Sequence, residues 1–416
     1  MNLVDWLMLA SLVCIWSLLL LNVVLIVGGY RYYVESIGYV PTQPKEFPMV
    51  SIMVPAHNEG LVISQTLLSL LAFDYPQNRY EIIVINDNSS DNSAQLLEDI
   101  REKSPGRTIK IINTDSLTGG KGKSNALNIG FQQCLGDYIV IYDADNTPER
   151  GALRLLVSEI CSNPSLGAVI GKFRTRNKDA SWLTRFINIE TLAFQWMAQA
   201  GRWKLMKLCT IPGTNFIIRR EILEQMGGWD IHAIAEDTEI SFRIYLMGYF
   251  IKFLPQAVTW EQEPQTFKVW FRQRTRWVKG NIYVLVKNLP LLFNPRAGHI
   301  RFDICYFLST YFLLLTSLII SDSVLLMNVS GLIHTTLASF SNLLWILAII
   351  LFILGTFVTV TTEKGELTLS NAAMIGVMYF TYSKMWMVVA AYGLFQYLKD
   401  KLFHHETKWY KTERFQ

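Results

Sequence analysis

Paired cysteines and a strong net charge are both missing from this sequence of 416 residues. The five cysteines are scattered, with no CxxC pair and no Cys/His spacing of a metal site. Their odd number disfavours a disulfide-stapled extracellular domain, so we expect free thiols on the cytosolic side of a membrane. A net charge of only +4 excludes the broad basic surface that a nucleic-acid partner requires.

Charged residues are scarce as well, at 17% against 51% hydrophobic residues, and the mean hydropathy is +0.24. This balance excludes a disordered tail protein, a collagen-like fibre and a disulfide-rich secreted module, and it indicates a membrane protein. Residues 3–29 form a nearly uncharged run that is long enough to cross about 30 Å of hydrocarbon. A signal peptide is the alternative, but the run is too long and no basic segment precedes it.

The chain divides into segments of different composition. A basic residue follows the first apolar run and the next domain is rich in Lys and Arg, so the positive-inside rule places that domain in the cytosol. The predicted segments are an N-terminal transmembrane helix (1–30), a cytosolic α/β domain (41–264), an interface helix (265–295), a multi-pass membrane region (300–398) and a basic tail (399–416).

The number of membrane crossings is uncertain at this point. Residues 302–327, 335–360 and 367–398 are three apolar stretches, and three full crossings would place the tail outside the cell. The tail is basic, however, which favours the cytosol. Either one stretch does not cross fully or the tail breaks the rule. The last stretch contains Lys384, so we predict that it is broken or re-entrant.

Strand-like runs of β-branched residues alternate with helix-length segments in the cytosolic domain. This alternation predicts a mainly parallel sheet with helices on both faces, and such sheets bind ligands beyond the carboxyl ends of their strands. Polar clusters follow the predicted strands at those ends. The predicted strands cover residues 50–54, 81–85, 110–112 and 138–142.

Two acidic motifs and one basic residue follow these strands. Asp143 and Asp145 flank one alanine, a pattern that suits a divalent cation together with phosphate oxygens, although turns after strands are rich in Asp anyway. Asp87 is either a turn residue or a ligand of a base or ribose. Lys123 follows a glycine-rich segment that lacks the P-loop spacing but suits a diphosphate.

Two further motifs lie on predicted helices. Glu236 and Asp237 open one helix, where acids also complement the helix dipole. Helical spacing places Gln273, Arg276 and Trp277 on one face of another. That helix could equally be an amphipathic membrane-surface helix with snorkelling basic residues, and both interpretations are compatible.

Together and in this order, the motifs resemble those of membrane-integrated, processive, inverting family 2 glycosyltransferases. This group includes bacterial poly-N-acetylglucosamine, cellulose, mixed-linkage glucan, chitin-oligosaccharide and hyaluronan synthases. The resemblance covers about residues 48–295, and it implies a GT-A type nucleotide-sugar-binding domain inserted between transmembrane helices. The matching residues are Pro55, Ala56, His57, Asn58, Glu59, Asp87, Lys123, Asp143, Asp145, Glu236, Asp237, Gln273, Arg276 and Trp277.

The resemblance also implies a role for each matching residue. Asp237 is expected to be the catalytic base, and Asp143 and Asp145 to meet Mg²⁺ or Mn²⁺. The acceptor-binding residues are expected to be Glu236, Gln273 and Trp277. The residues expected to bind the nucleotide sugar are Pro55, Ala56, Asn58, Glu59, Asp87, Lys123, Asp143 and Arg276.

Two softer expectations concern the rest of the chain. Residues 182–208 are interpreted as an amphipathic interface helix, with ordinary core as the alternative. In the tail, Trp409, Lys411, Thr412 and Arg414 resemble the gating loops of related synthases, and a disordered basic tail is the alternative.

The sequence therefore favours a plasma-membrane enzyme that polymerises UDP-glucose or UDP-N-acetylglucosamine into a β-linked exopolysaccharide and secretes it through its own helices. Glucose is slightly preferred at this point. The partners are the UDP-sugar donor, the growing polysaccharide and the bilayer, and an export or accessory subunit is a candidate. The alternative is a non-processive membrane transferase that adds a single sugar to a lipid carrier.

Overall fold

An eight-stranded sheet forms the centre of the domain that follows the first helix. The computed structural model describes residues 2–335, 338–403 and 411–415. The strands are β1 (Val50–Ala56), β2 (Tyr80–Asp87), β3 (Ile109–Thr114), β4 (Tyr138–Ile141), β5 (Thr147–Pro148), β6 (Leu166–Thr175), β7 (Phe216–Arg219) and β8 (Phe250–Glu261).

The strand order is β3-β2-β1-β4-β7-β6-β8-β5, and the sheet is mixed. The pairs β1/β2, β2/β3, β1/β4 and β6/β8 are parallel, whereas β4/β7, β6/β7 and β5/β8 are antiparallel. The α/β class is confirmed, but the sheet is less parallel than the sequence predicts. The connection formed by residues 176–215 leaves the end of β6 and returns to the sheet at the same edge. Strand β7 therefore runs antiparallel to both of its neighbours, β4 and β6.

Helices cover both faces of the sheet, and further long helices precede and follow it. Strands β1 and β2 are buried along most of their length, as expected for central strands covered on both sides. The helices are α1 (Leu3–Ser36), α2 (Ile63–Leu71), α3 (Ser93–Glu102), α4 (Lys123–Phe131), α5 (Ala152–Ser162), α6 (Trp182–Ala193), α7 (Arg202–Met206), α8 (Arg220–Met226), α9 (Glu236–Leu246), α10 (Phe267–Asn288), α11 (Ile300–Leu308), α12 (Leu315–Val329), α13 (Ala338–Thr361), α14 (Leu369–Phe380) and α15 (Tyr382–Phe403).

Helix α6 continues through a π-helical segment, Phe194–Gly201, into α7. This long helix packs closely on α1, because a Cβ built on Gly29 would lie 1.8 Å from the carbonyl oxygen of Trp196. Small residues allow such backbone contact between helices. Leu192 and Trp196 are buried against protein, whereas Trp182 is 66% exposed. The predicted interface helix is therefore enclosed by protein along much of its length.

Three helices among the described residues are long and apolar enough to cross a membrane, namely Leu3–Ser36, Ile300–Val329 and Asn342–Thr361. The pair formed by α14 and α15 also passes this test, but it bends by 41° at Thr381. The break lies in the stretch for which the sequence predicts one.

The segment between α13 and α14 docks on the sheet domain through buried ion pairs. Glu363 pairs with Lys172 at 2.9 Å and with Arg174 at 2.7 Å. Glu366 pairs with Arg174 at 2.9 Å and with Lys178 at 2.7 Å. Since β6 ends at Thr175, these contacts lie at the carboxyl end of that strand.

Helix α15 contacts α10, the helix that follows the sheet, at both its start and its end. Tyr382 lies beside Trp270 of α10, and Asp400 forms an ion pair with Lys279 of the same helix. Both ends of the α14–α15 pair are therefore attached to elements of the sheet domain. At its bend, Lys384 pairs with Asp322 of α12 at 2.7 Å.

Candidate active site

Strands β1, β2 and β4 are parallel, so their carboxyl ends meet at one edge of the sheet. Asp87 is the last residue of β2 and is buried. Its Oδ1 accepts hydrogen bonds from Thr114 Oγ1 at 2.8 Å and from Gly120 N at 2.9 Å. The glycine-rich segment and β3 thus hold this carboxylate in a fixed orientation at the edge.

The segment after β1 is tied to the segment after β2. Pro55 and Ala56 end β1, and Asn58 follows with a φ of +55°. The Oδ1 of Asn58 accepts from the backbone N–H of Ser90 at 2.7 Å, and Asn58 N donates to Ser89 Oγ at 2.8 Å. Asparagine tolerates this left-handed conformation better than most residues, so the turn suits the residue type.

Lys123, the first residue of α4, joins three elements. Its Nζ lies 2.6 Å from Asp143 Oδ1, 3.3 Å from Glu236 Oε1 and 2.8 Å from the carbonyl oxygen of Gly213. Burial alone would lower the pKa of Lys123, but Asp143 and Glu236 outweigh that effect and raise it. The lysine therefore remains charged among the acids.

Asp237 lies in the first turn of α9, and its Oδ1 accepts from Thr238 N at 2.7 Å. Removal from water, together with the neighbouring charge of Glu236, raises the pKa of Asp237 from 3.8 to about 7. Lys123 acts in the opposite direction and limits the rise. A carboxylate with a pKa near 7 is suited to accept a proton at neutral pH.

The two aspartates that follow β4 both face cations. Asp143 pairs with Lys123, and the buried Asp145 pairs with Arg414 of the tail at 2.7 Å. In the described part of the chain, no group of three or more His, Cys, Asp or Glu side chains could hold a metal ion. Mg²⁺ takes one or two carboxylates and completes its shell with phosphate oxygens and water. The pair fits a cation that arrives with a diphosphate.

Helix α10 carries the remaining predicted residues. Gln273 is buried and Trp277 is 40% exposed. Burial lowers the pKa of Arg276, whereas the nearby charges of Glu236 and Asp237 oppose that effect. These electrostatic interactions place Arg276 near Lys123, Asp143 and Glu236, which we call the Lys123 cluster. Gln273 and Trp277 lie one helical turn apart on the same helix as Arg276.

The tail reaches the same edge of the sheet. Arg414 lies 3.0 Å from Glu59 Oε2, and Lys411 contacts the carbonyl oxygen of Asn58. Burial raises the pKa of Glu59, and Arg414 counteracts the effect. Thr412 is buried between these two basic residues, and Trp409 lies outside the described residues.

Comparison with known proteins identifies the family. The family model described as "Glycosyltransferase like family 2" matches residues 48–280. A probable glycosyltransferase of Bacillus subtilis is 48% identical over 408 residues, which is 97% of each chain. The chain belongs to glycosyltransferase family 2.

Two other matches add detail to this family 2 assignment. The poly-β-1,6-N-acetyl-D-glucosamine synthase of Staphylococcus epidermidis is 31% identical over 269 residues, which is 63% of each chain. A mannosyltransferase from Pyrobaculum calidifontis, solved with GDP-mannose and Mn²⁺, superposes with a TM-score of 0.59 at 21% identity, covering 88% of this chain and 99% of that one. The second match supports the GT-A type fold.

Four residues near the site of this glycosyltransferase were missed by reasoning from sequence. Glu190 contacts Arg274, Tyr382 and Trp386 behind Gln273 and Trp277. An acid within the apolar segment 182–208 was the available signal, because a charge in such a segment is costly without partners. The partners themselves lie 84 to 196 residues away and leave no local pattern.

Gly213 provides a test of the site geometry. Its φ is +87°, and a Cβ at this position would lie 3.0 Å from Asp237 Oδ2. We expect Gly213→Ala to displace Asp237 and to lower glycosyl transfer by about tenfold or more, since small misplacements of catalytic groups are costly. Gly227→Ala is the matched control, because Gly227 has a φ of +73° and no atom within 4 Å of the added Cβ.

Both alanine variants carry the strain of a left-handed residue, of about 1–2 kcal/mol, so their thermal unfolding should be similar. Donor turnover in detergent is the measurement. Equal activity in the two variants would contradict the placement of Gly213 against Asp237.

Proposed function

We propose that this glycosyltransferase is a processive, inverting enzyme that polymerises a UDP-hexose into a β-linked exopolysaccharide and secretes it through its own helices. The observation that carries the proposal is that the acidic residues at the carboxyl ends of the strands lie close to a helix that packs on α15. Asp237 lies beside Lys123 at this edge, and the partly exposed Trp277 lies on a helix that packs along α15. A growing chain at Trp277 would thus lie between the reacting groups and the membrane helices.

The chemistry follows from the positions of the charged groups. Asp237 accepts the proton of an acceptor hydroxyl as that oxygen attacks the anomeric carbon of the donor. UDP leaves from the opposite face, so an α-linked donor gives a β-linkage. Lys123 and Arg276 stabilise the negative charge that develops on the leaving diphosphate. One base is sufficient because no covalent intermediate forms.

Asp143 and Asp145 would hold Mg²⁺ or Mn²⁺ together with the diphosphate. The ion supplies charge neutralisation of the leaving group when bound. Both carboxylates already face cationic side chains, which supports a site for positive charge at this position. The remaining nucleotide contacts are assigned to Asp87 and to the segment from Pro55 to Glu59, which border the same edge.

The relatives bear on the donor sugar. The staphylococcal relative is named for a polymer of N-acetylglucosamine. This name favours UDP-N-acetylglucosamine over the UDP-glucose that the sequence alone slightly prefers. Because only 63% of that protein is matched, both donors belong in the test.

We place the catalytic domain in the cytosol at the plasma membrane, with three crossings before the α14–α15 pair. Thr335, between α12 and α13, donates a hydrogen bond to Asp5 at the start of α1, which supports a common outer side for these two points. Glu363 and Asp400 are both paired with the domain side. An α14–α15 pair with both ends on the domain side would leave the basic tail in the cytosol, as the positive-inside rule favours.

Product size tests the proposal directly. We expect purified protein in lipid vesicles to convert UDP-N-acetylglucosamine or UDP-glucose, each supplied radiolabelled with Mg²⁺, into a polymer of high molecular weight. EDTA should abolish the product, because the diphosphate would lose its counter-charge. A short, lipid-extractable product would instead make the protein a non-processive transferase that adds one sugar to a lipid carrier.

The base assignment predicts a specific pH dependence. Asp237 must be deprotonated to accept a proton, so kcat/KM should fall about tenfold for each pH unit below its pKa of about 7 and level off above it. Asp237→Asn should lower kcat by about 10²–10⁴-fold and leave UDP affinity nearly unchanged.

The matched control is Asp230→Asn, which removes an acid that pairs with Lys287 outside the Lys123 cluster. It should keep both the rate and the pH profile. A profile that stays flat between about pH 5.5 and 8 in the wild-type enzyme would refute the base assignment.

The tail contacts suggest that the segment containing Lys411, Thr412 and Arg414 covers the bound nucleotide as a gating loop. We expect both Arg414→Gln and truncation after His405 to raise the KM for the UDP-sugar by about tenfold, roughly the value of one charge-assisted hydrogen bond. Thermal unfolding of the domain should not change. Glu413→Gln is the control, because Glu413 is 60% exposed and lies 3.9 Å from Arg272. An unchanged KM in both tail variants would remove the gating role.

A further inference from the structure

Glu190 of α6 binds three side chains from two other helices. Its Oε2 accepts from Tyr382 Oη at 2.7 Å and from Arg274 Nη2 at 2.8 Å, and its Oε1 accepts from Trp386 Nε1 at 2.6 Å. These three hydrogen bonds fix the positions of both carboxylate oxygens of Glu190. Glu190 thereby connects α6, α10 and α15 at a single point.

Arg274, which Glu190 holds in place, contacts two residues of the proposed acceptor site. Its guanidinium is 1% exposed, and its Nη1 donates to Gln273 Oε1 at 2.8 Å. The same guanidinium lies 3.9 Å from the ring centroid of Trp277, within the range of a cation–π interaction. Arg274 therefore contacts both Gln273 and Trp277 while it is held by Glu190.

The side chain of Trp277 is buttressed by Arg274 and remains 40% exposed. An aromatic ring can offer an exposed face to a sugar only if its orientation is maintained. Arginine suits this task because its planar fork donates in fixed directions and stacks on an aromatic ring at the same time. Lysine is a point charge on a flexible stem and could not make all of the contacts that Arg274 makes.

We propose that Glu190 and Arg274 form a positioning pair that orients Gln273 and Trp277 toward the acceptor sugar and fixes them to α15. This inference rests on the proposed function for the identity of the acceptor. Neither member of the pair touches the reacting atoms, and each acts through Gln273 or Trp277. Through Tyr382 and Trp386, the acceptor-binding face and α15 are held by the same carboxylate.

A purely structural role is the alternative, because any buried ion pair affects folding. The chain offers a matched control in Arg202 and Asp303. These residues are 1% and 2% exposed, lie 2.7 Å apart and join the continuation of α6 to α11. The other hydrogen bonds of Arg202 go to the carbonyl oxygen of Ala198 and to Oγ1 of Thr210.

The variants are Glu190→Gln, Arg274→Gln and their double variant, with Arg202→Gln, Asp303→Asn and the double variant of that pair as controls. Each single change leaves one charge of its pair, on a side chain that is at most 22% exposed, without its counter-charge, so the single variants should melt at lower temperature than the double variant. This pattern in melting temperature is expected for both pairs. It therefore measures stability and does not report on positioning.

Acceptor binding separates the two roles. A β-linked oligosaccharide of the donor sugar, titrated into the full-length protein in detergent, should bind about tenfold more weakly to all three variants of the Glu190–Arg274 pair, because Trp277 loses its support. UDP affinity should change by less than about twofold, which is within about 0.4 kcal/mol. The double variant is decisive, since its stability recovers but its acceptor affinity does not. The control variants should bind the oligosaccharide like the wild type.

A second readout does not depend on the substrate. Protein labelled with 5-fluorotryptophan gives a fluorine NMR resonance for Trp277 that is assigned by its loss in Trp277→Phe. This resonance should shift or broaden in the Glu190 and Arg274 variants, because the charge above the ring moves or disappears. It should stay in place in the Arg202 and Asp303 variants.

The outcomes distinguish the two proposals. If the Trp277 resonance moves but the wild-type protein makes no polymer, the positioning pair stands and the proposed function fails. If polymer is made while acceptor affinity and the Trp277 resonance are the same in the double variant as in wild type, the positioning pair is wrong and the proposed function stands. Equal weakening of acceptor affinity in the Arg202 and Asp303 controls would also overturn the pair.

Discussion

The ion pair between Lys123 and Asp143 is the interaction on which the arrangement of the site depends. Two acidic motifs, one after β4 and one at the start of α9, approach each other at the edge of the sheet, and their charges repel. Lys123 lies between them and also binds the carbonyl oxygen of Gly213. Lys123 thereby offsets the repulsion between the two motifs and stabilises α9 at the edge. Burial and the charge of Glu236 raise the pKa of Asp237, and Lys123 limits that rise.

Ion pairs also attach the helices that follow the sheet to the family 2 domain. Glu363 and Glu366 insert between basic residues at the end of β6, where low exposure strengthens each ion pair. The attachment lies on the same edge of the sheet as the acidic motif after β4, because β7 is antiparallel to both β4 and β6 and those two strands therefore point the same way. The acidic motifs and the long apolar helices are therefore held on the same side of the sheet, an arrangement that the proposed extrusion of a polymer requires.

The ion pair of Glu190 and Arg274 is proposed to orient side chains as well as to hold helices together. Arg274 and Gln273 are buried, and the partly buried Glu190 accepts from Arg274 and Tyr382 on two other helices, so these hydrogen bonds restrict how the side chains of the cluster can be arranged. A hydrophobic cluster of similar volume would hold the helices together but would not fix the direction of a ring. This difference explains why a charged pair would lie behind an acceptor site.

The sequence by itself determined the α/β class, the early strands with their polar ends, the apolar spans and the family motifs, because each depends on a local pattern of residues. It also indicated a break in the last apolar stretch. The tertiary structure decided the direction of β7 and the contacts of Glu190 with Arg274 and of Arg414 with Asp145. Those contacts join residues 84 and 269 positions apart. Such pairs form only when the chain folds back, so no periodicity or spacing in the sequence encodes them.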